Sequence, residues 1–358
     1  MFKALRALSL LVLVVLIGCG SSRAYLGPMI QLGNTDGRSE MMVVWRTSGL
    51  ADSRIEYGSY LDSEKIVFDP MEVYYHSLRL TGLKPDTEYF YRVFSNDILI
   101  GQFHFRTGKS DFQPFRFVVF GDSGTGKSMQ YKVAAEIEKN RPDFILHTGD
   151  LVYGKGEDEN YLNQFYDPYR KLISKILFFP SLGNHDYGTE IGQPFLNNFV
   201  LPGNERYYSF DYGNAHFVAL DSNRVDEESA RWLETDLANN GKLWKVIFFH
   251  HPPPFATGHV GDKAILDLWV PLFEKYDVDL VFVGHQHIYA RYQPLNGVRY
   301  IVEGVGGKHL HDVTLGSHLA SWDNKHWGFG SVDIIGKKLI FRHITHQGFI
   351  LDQFSLEK

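Results

Sequence analysis

The sequence predicts two units in series, an all-β sandwich and then an α/β domain of two mixed sheets flanked by helices. Three observations carry this. From Gly27 to about Gly108, short alternating apolar segments are separated by turn signals, and few segments look helical. The polar stretch Thr107-Gly108-Lys109-Ser110-Asp111 then reads as a linker. Beyond it, apolar β-runs alternate with helical stretches, as layered α/β domains require.

The chain opens on Lys3 and Arg6, the apolar run Ala7 to Ile17, and Gly18-Cys19. A basic start, a short apolar run and a small residue at the cut make a secretory signal. The run is too short for a bilayer, which takes about 20 apolar residues. Leu16-Ile17-Gly18-Cys19 resembles the lipobox of bacterial lipoproteins. That resemblance implies a signal peptide over 1–18, lipidation of Cys19, a tether over 19–27 and export to the cell envelope, anchored to a bacterial membrane. Cys19 is the only cysteine, so an exported chain carries no disulfide. The formal charge of −6 gives no reason to expect nucleic-acid binding.

In the first unit (28–108), Met41 to Arg46, Val73 to Leu80, Tyr89 to Phe94 and Ile100 to Arg106 read as strands. Leu83-Lys84-Pro85-Asp86-Thr87-Glu88-Tyr89 resembles the tyrosine corner of fibronectin type III modules, and Trp45 fits their buried Trp. No catalytic cluster is visible there, so the unit reads as a spacer or a wall for the second.

In the second unit (113–356), β-runs are expected at Phe115 to Phe120, Phe144 to His147, Ile176 to Pro180, Phe217 to Leu220, Val246 to Phe249 and Val278 to Val283. Helices are expected near Ser128 to Asn140, Glu159 to Ile173, Asp226 to Asn239 and Asp262 to Lys275. The tail, Phe329 to Phe354, returns to hairpins with turns at Gly336-Lys337 and Gln347-Gly348.

The β-runs are followed by chemistry. Gly121-Asp122-Ser123-Gly124 comes after the first, and His147-Thr148-Gly149-Asp150-Leu151-Val152-Tyr153 ends and follows the second. Gly183-Asn184-His185-Asp186, His250-His251-Pro252 and Gly284-His285-Gln286-His287 trail three others. Metal-capable side chains just past the carboxyl ends of strands stand where α/β sheets place their sites. Carboxylates, an amide oxygen, imidazoles and a phenol exclude a Cys-based structural zinc site and suit iron, manganese or zinc.

In this order these motifs resemble the purple acid phosphatases, which belong to the calcineurin-like metallophosphoesterases. The resemblance covers almost all of the chain beyond the signal, because these enzymes often carry a fibronectin-like domain in front. Val302 to Gly307 resembles the family's glycine-rich stretch. The resemblance implies a metallophosphoesterase domain with a first metal on Asp122, Asp150, Tyr153 and His287. A second would sit on Asp150, Asn184, His250 and His285, with Asp150 bridging. His185 and His259 match histidines that hold phosphate and assist the leaving group. His251 is left out of the ligand set. His147, His309, His311, His318 and His326 are read as wall or surface residues.

The family pairs Fe³⁺ with a divalent ion, here Zn²⁺, Mn²⁺ or Fe²⁺. The ligands suit that pair: Asp122, Asp150 and a Tyr153 phenolate supply three negative charges, so the unequal ions plus one hydroxide leave a net positive receptor for phosphate. The implied reaction is attack of that hydroxide on a phosphate monoester, with a diester as the lesser option. Two other readings stand beside it. Gly121 to Ser128 matches the phosphate-cradling P-loop pattern, which would make an NTPase. A lipid-anchored binding protein with a non-catalytic metal site is the third.

Overall fold

The computed structural model describes residues 25–60, 64–253, 263–312 and 318–358. The signal segment, Cys19 and His259 lie outside the described residues. Among the described residues, no helix is long and apolar enough to cross a membrane.

The first unit holds β1 (Tyr25–Gln31), β2 (Met41–Gly58), β3 (Lys65–Leu80), β4 (Glu88–Ser95) and β5 (Ile98–Arg106). Hydrogen bonds link all five strands into one sheet, in the order β1-β2-β4-β5 with β3 also on β2. The expected sandwich is thus continuous. β2 is long enough to carry β1 on its first half and β4 on its second, and its register to β3 breaks between Arg46 and Ser53. Trp45 is buried, stacks on His76 at 4.7 Å and donates its indole N–H to Ser95 across 3.0 Å. The Lys84 N–H donates to the Tyr89 hydroxyl at 3.0 Å, as a tyrosine corner requires. Pairing begins at Tyr25, inside the stretch read as tether, because Tyr25 and Leu26 already oppose Thr47 and Arg46.

The second unit is a pair of mixed sheets. One contains β6 (Phe115–Phe120), β7 (Phe144–His147), β8 (Leu177–Pro180), β16 (Gly328–Ile335), β17 (Lys338–Thr345) and β18 (Ile350–Glu357), in the order β18-β17-β16-β6-β7-β8. The other contains β9 (Tyr208–Tyr212), β10 (Ala215–Ala219), β11 (Trp244–Phe248), β12 (Leu280–Val283), β13 (Tyr289–Tyr292), β14 (Arg299–Glu303) and β15 (Leu319–Asp323), in the order β15-β13-β14-β12-β11-β10-β9. β6, β7 and β8 run parallel, as do β10, β11, β12 and β14.

The chain is rich in aromatics, with 27 Phe and 20 Tyr, and a cluster of them packs between these sheets. Phe117 meets Phe217 at 5.2 Å, Phe144 meets Phe217 at 5.0 Å, and Phe179 stacks on Phe210 at 3.8 Å. The alternate residues Val218, Ile247 and Val281 point the other way and pack with Leu233, Leu237, Ile265, Trp269 and Phe273. Strands covered on both faces read as continuous apolar runs, which is why β6, β7, β11 and β12 are conspicuous in the sequence.

The main helices are α1 (Ser128–Asn140), α2 (Asp167–Ile173), α3 (Asn184–Tyr187), α4 (Gln193–Asn198), α5 (Glu227–Ala238) and α6 (Val270–Lys275). The longer helical stretches expected over 159–173 and 262–275 are divided. Each contains one π-helical turn, at Leu162–Tyr166 and Ile265–Trp269.

The first unit docks on the second. Arg46 makes a bidentate pair with Asp158 at 2.8 and 2.7 Å and donates to Asn198 at 3.0 Å. The Tyr91 hydroxyl donates to the Ser174 carbonyl, and the Gly33 N–H to the Val200 carbonyl at 3.1 Å. Asp158 closes the loop that carries Tyr153, so the domain read as a spacer braces a site loop.

Candidate metal centre

The strand ends expected to carry chemistry converge. β6, β7 and β8 deliver Asp122, Asp150 and Asn184 from one sheet, while β11 and β12 deliver His250, His285 and His287 from the other. The two sheets share one carboxyl edge. The backbone is forced there: Asp122, Asp150 and His285 have φ of 56°, 57° and 66°. Left-handed backbone at non-glycine residues is uncommon and concentrates at functional sites. The packing is tight enough to demand glycine at Gly183, where a Cβ would lie 2.1 Å from Asp150 Oδ1.

Two groups of donors result. In one, the Tyr153 hydroxyl lies 3.1 Å from His287 Nε2 and 3.4 Å from Asp122 Oδ1, and His287 Nε2 lies 3.4 Å from the same oxygen. In the other, Asn184 Oδ1 lies 3.0 Å from both His250 Nε2 and His285 Nδ1, which are 3.2 Å apart. Asp150 belongs to both: its carboxylate lies with the Asp122 carboxylate and the His250 imidazole as a possible ion cradle, and Oδ1 is 3.5 Å from His250 Nε2.

Proton positions follow from the partners. His250 Nδ1 lies 2.8 Å from the Thr148 carbonyl, and His287 Nδ1 lies 2.8 Å from the His309 carbonyl. A carbonyl only accepts, so each Nδ1 carries the proton and each Nε2 lone pair faces inward. Burial drives the His250 pKa well below the ordinary imidazole value and that of His287 down to about 4. Both rings are therefore neutral, as ligation demands. Burial, then the Asp150 charge, pushes the Asp122 carboxyl well up, and burial, then Asp122, pushes up the Tyr153 phenol. Lone pairs and carboxylates crowded at 3.0–3.5 Å repel one another. The same crowding is favourable around cations, so the donor set fits a pair of metal ions.

The other residues sort as follows. His185 Nδ1 donates to the Gly154 carbonyl at 2.7 Å, and the ring lies 4.6 Å from that of Tyr153, at the mouth of the site. His147 is a buried structural residue whose Nε2 meets the Ser123 hydroxyl at 2.8 Å. His326 pairs with Asp323 at 3.1 Å and takes no part. His251, left out of the ligand set, has its ring 4.7 Å from that of His285, with Nδ1 meeting the Ser222 hydroxyl at 2.9 Å. His311 stacks on His287 at 3.8 Å, making it a wall of the first ligand group.

Two further residues beside the centre carry no assignment from the sequence. Asp186 is fully buried and accepts the N–H groups of Leu151, Val152 and Gly183 at 3.2, 3.0 and 3.0 Å, tying the Asp150 loop to the Asn184 loop. The only signal was its place in Gly-Asn-His-Asp. Asp186→Asn puts an N–H₂ where one of these donors points. Metal affinity should fall about 10–100-fold, read by competition with a chelator, while the fold stays intact by circular dichroism. Lys308, just past the glycine-rich stretch, holds its Nζ 3.4 Å from the centre of the Tyr153 ring.

The loop Gly121 to Ser128 does not cradle phosphate. Its amides are occupied: Gly121 donates to Glu303 at 2.8 Å, Asp122 to Gly149 at 3.0 Å, and Ser123 and Gly124 to Asp150 at 3.2 and 3.3 Å. Thr125 donates to Ser123 at 2.7 Å, Gly126 to Gln130 at 2.8 Å, and Lys127 to Thr125 at 3.2 Å. A P-loop needs these groups free, so the nucleotide reading is a coincidence of pattern.

Fold and donor set together define a two-domain protein with a candidate metal centre where its two mixed sheets meet. Residues 115–289 match the calcineurin-like phosphoesterase family, and residues 28–107 match the purple acid phosphatase N-terminal domain. The chain thus carries a calcineurin-like metallophosphoesterase domain behind a purple acid phosphatase N-terminal domain, a combination that implies a dinuclear metal site. It is 30% identical to Purple acid phosphatase 15 of Arabidopsis thaliana over 65% of this chain and 53% of that protein. It is 27% identical to an uncharacterized protein of Mycobacterium tuberculosis over 74% of this chain and 59% of that one. The chain therefore spans less than two thirds of either relative. The purple acid phosphatase PPD1 of yellow lupin shares the fold, with a TM-score of 0.82 at 21% identity over 93% of this chain and 74% of that one.

Proposed function

We propose that the chain hydrolyses phosphate monoesters at a two-metal centre held by Asp122, Asp150, Tyr153, Asn184, His250, His285 and His287. The observation that carries this is the pair of donor groups that meet at Asp150, each lined by lone pairs turned inward. The unequal composition supports an unequal ion pair. Tyr153 resists ionisation in its buried place, so a phenolate there calls for a strongly acidic ion such as Fe³⁺. The Asn184 side, with a neutral amide and two imidazoles, suits Zn²⁺, Mn²⁺ or Fe²⁺.

Ions in these positions would acidify a water for attack on phosphorus and offset the phosphoryl charge. The protein's own share is orientation and proton handling. His250 and His287 are locked by carbonyls, so their lone pairs do not swing away. His185, anchored through Nδ1 to Gly154, keeps Nε2 for a proton to the departing oxygen. His259 is proposed to share that task. His285 is the exposed member of its group, which puts substrate entry on that side.

His185→Ala is expected to retain both metals and lose about 100-fold in kcat, with the deficit smaller for a good leaving group such as 4-nitrophenolate. Equal loss for good and poor leaving groups would assign it phosphate binding instead. The reading as a whole is tested on the purified protein by metal analysis, a visible spectrum and turnover of an aryl phosphate. Two metals per chain, an iron–phenolate absorption and turnover are expected; metal-free yet active protein would overturn it. Export and anchoring through Cys19 are part of the same proposal, and a diacylglycerol mass on an N-terminal Cys19 peptide is the expected mark.

A further inference from the structure

Beside the metal centre runs a groove of about 680 Å³, lined among others by Thr125, Lys127, Tyr153, Lys308, His309 and Trp327. Tyr153 lines the groove and also belongs to the first donor group, so the two spaces share a wall. Lys308 is half-buried, and Lys127 is exposed at the rim. Lys308 rests on the Tyr153 ring at 3.4 Å, and its backbone N–H is fixed by the Asp122 carbonyl at 3.0 Å. Among the described residues, neither ammonium group makes a salt bridge. Both side chains line the same groove.

We propose that this groove is a second anion subsite, which selects substrates whose leaving group carries another phosphate. The proposal rests on the phosphatase reading of the neighbouring centre. Two like charges facing one cavity, one exposed and one half-buried, both gain from a bound anion. The anion would be held by side chains, because the amides of the loop from Gly121 to Lys127 are already bonded. An ammonium is a compact point charge on a flexible stem, suited to phosphate in varied positions rather than to one planar fit. The match of Gly121 to Ser128 to a nucleotide motif is thus accidental in its backbone, while its Lys127 still faces phosphate.

The test uses the metal-loaded full chain and two non-hydrolysable probes of equal reach, propylphosphonate and propane-1,3-diphosphonate. Binding is read by calorimetry, with metal content checked after titration. The diphosphonate is expected to bind at least about tenfold tighter, which corresponds to ~1.4 kcal/mol. That advantage should shrink as salt rises. It should vanish in the Lys127→Gln/Lys308→Gln double variant and return in Lys127→Arg/Lys308→Arg. Equal binding of the two probes by the unmodified protein, or parallel loss of both in the Gln variant, would overturn the subsite. Failure of propylphosphonate itself to bind the unmodified protein would count against the phosphatase reading and the subsite resting on it.

Discussion

Asp150→Asn should leave a folded protein that no longer retains its two ions and turns over an aryl phosphate about 10⁴-fold more slowly, or worse. At about 1.4 kcal/mol per decade, that is a loss of over 5 kcal/mol of transition-state stabilisation. The substitution is nearly isosteric. Asn Oδ1 can still accept the His185 N–H, which lies 3.0 Å from Asp150 Oδ1. What disappears is the charge at the one position common to both donor groups. Burial means that no solvent replaces it, since Asp150 is only 2% exposed. Turnover, metal content and circular dichroism on one preparation decide the matter. Full activity would refute the bridging role, and loss of the fold would show that Asp150 is structural first.

Stripping the metals should make the fold sensitive to alkali. Burial raises the pKa of Asp122, Asp150 and Asp186, with the Asp150 charge as the next cause for Asp122 and Asp186; Asp186 reaches about 8. A folded state that holds protons the unfolded chain has released loses stability as pH rises, until it passes the raised pKa. Three buried histidines act in the opposite sense. His147 is lowered to about 3, His251 to about 2 and His287 to about 4 from an ordinary 6.5. They favour folding as pH climbs to about 6.5 and are silent above it.

The window is therefore pH 6.5 to 8, above the range of those three histidines and up to the Asp186 value; His216, raised despite its burial by its bonds to Asp211 and Asp236, acts there in the same direction as Asp186. One proton over that interval amounts to about 2 kcal/mol, or ~4–8 °C in melting temperature. The chelated protein should melt lower at pH 8 than at pH 6.5 by that amount. The metal-loaded protein should show little change, because cations keep the carboxylates ionised throughout. Scanning fluorimetry of the two forms is sufficient; a chelated protein that gains stability with pH would reverse the assignment.

Much of this candidate centre is legible along the chain because each expected ligand follows a strand. β6 and β7 lie where the apolar runs place them, residue for residue, and the neighbouring polar residues are then pinned to a strand end. Helix α1 is legible for the same reason, since an apolar stripe repeating at helical spacing is a local property. The short pieces were not. α3, α4 and β9 are too brief for any period to show, and π-helical turns interrupt the two stretches that read as whole helices. β13, β14 and β15 lie where the reading assigned no elements, and they are identified by pairing with β12 and with one another.

Asp186 and Lys308 show the limit at single residues. Each is one ordinary residue beside a recognisable motif, and its role comes from what lies opposite. Asp186 meets amide groups some 35 positions away, and Lys308 meets the ring of Tyr153. The docking of the first domain is of this kind as well. Arg46 could not be matched to Asp158, because the pair spans 112 positions and depends on how two units settle.

By itself, the sequence determined the two-unit order, the strands that end at the site and the types of donor. All of these follow from local periodicity and from the chemistry of single side chains. The tertiary structure alone decided how far apart those donors lie, which imidazole nitrogen faces inward and why the amides of Gly121 to Lys127 are unavailable to phosphate. Those are distances and hydrogen-bond partners set by two sheets meeting at one edge. Asp150 lies between two donor groups only because β7 and β11, far apart in the chain, end side by side there.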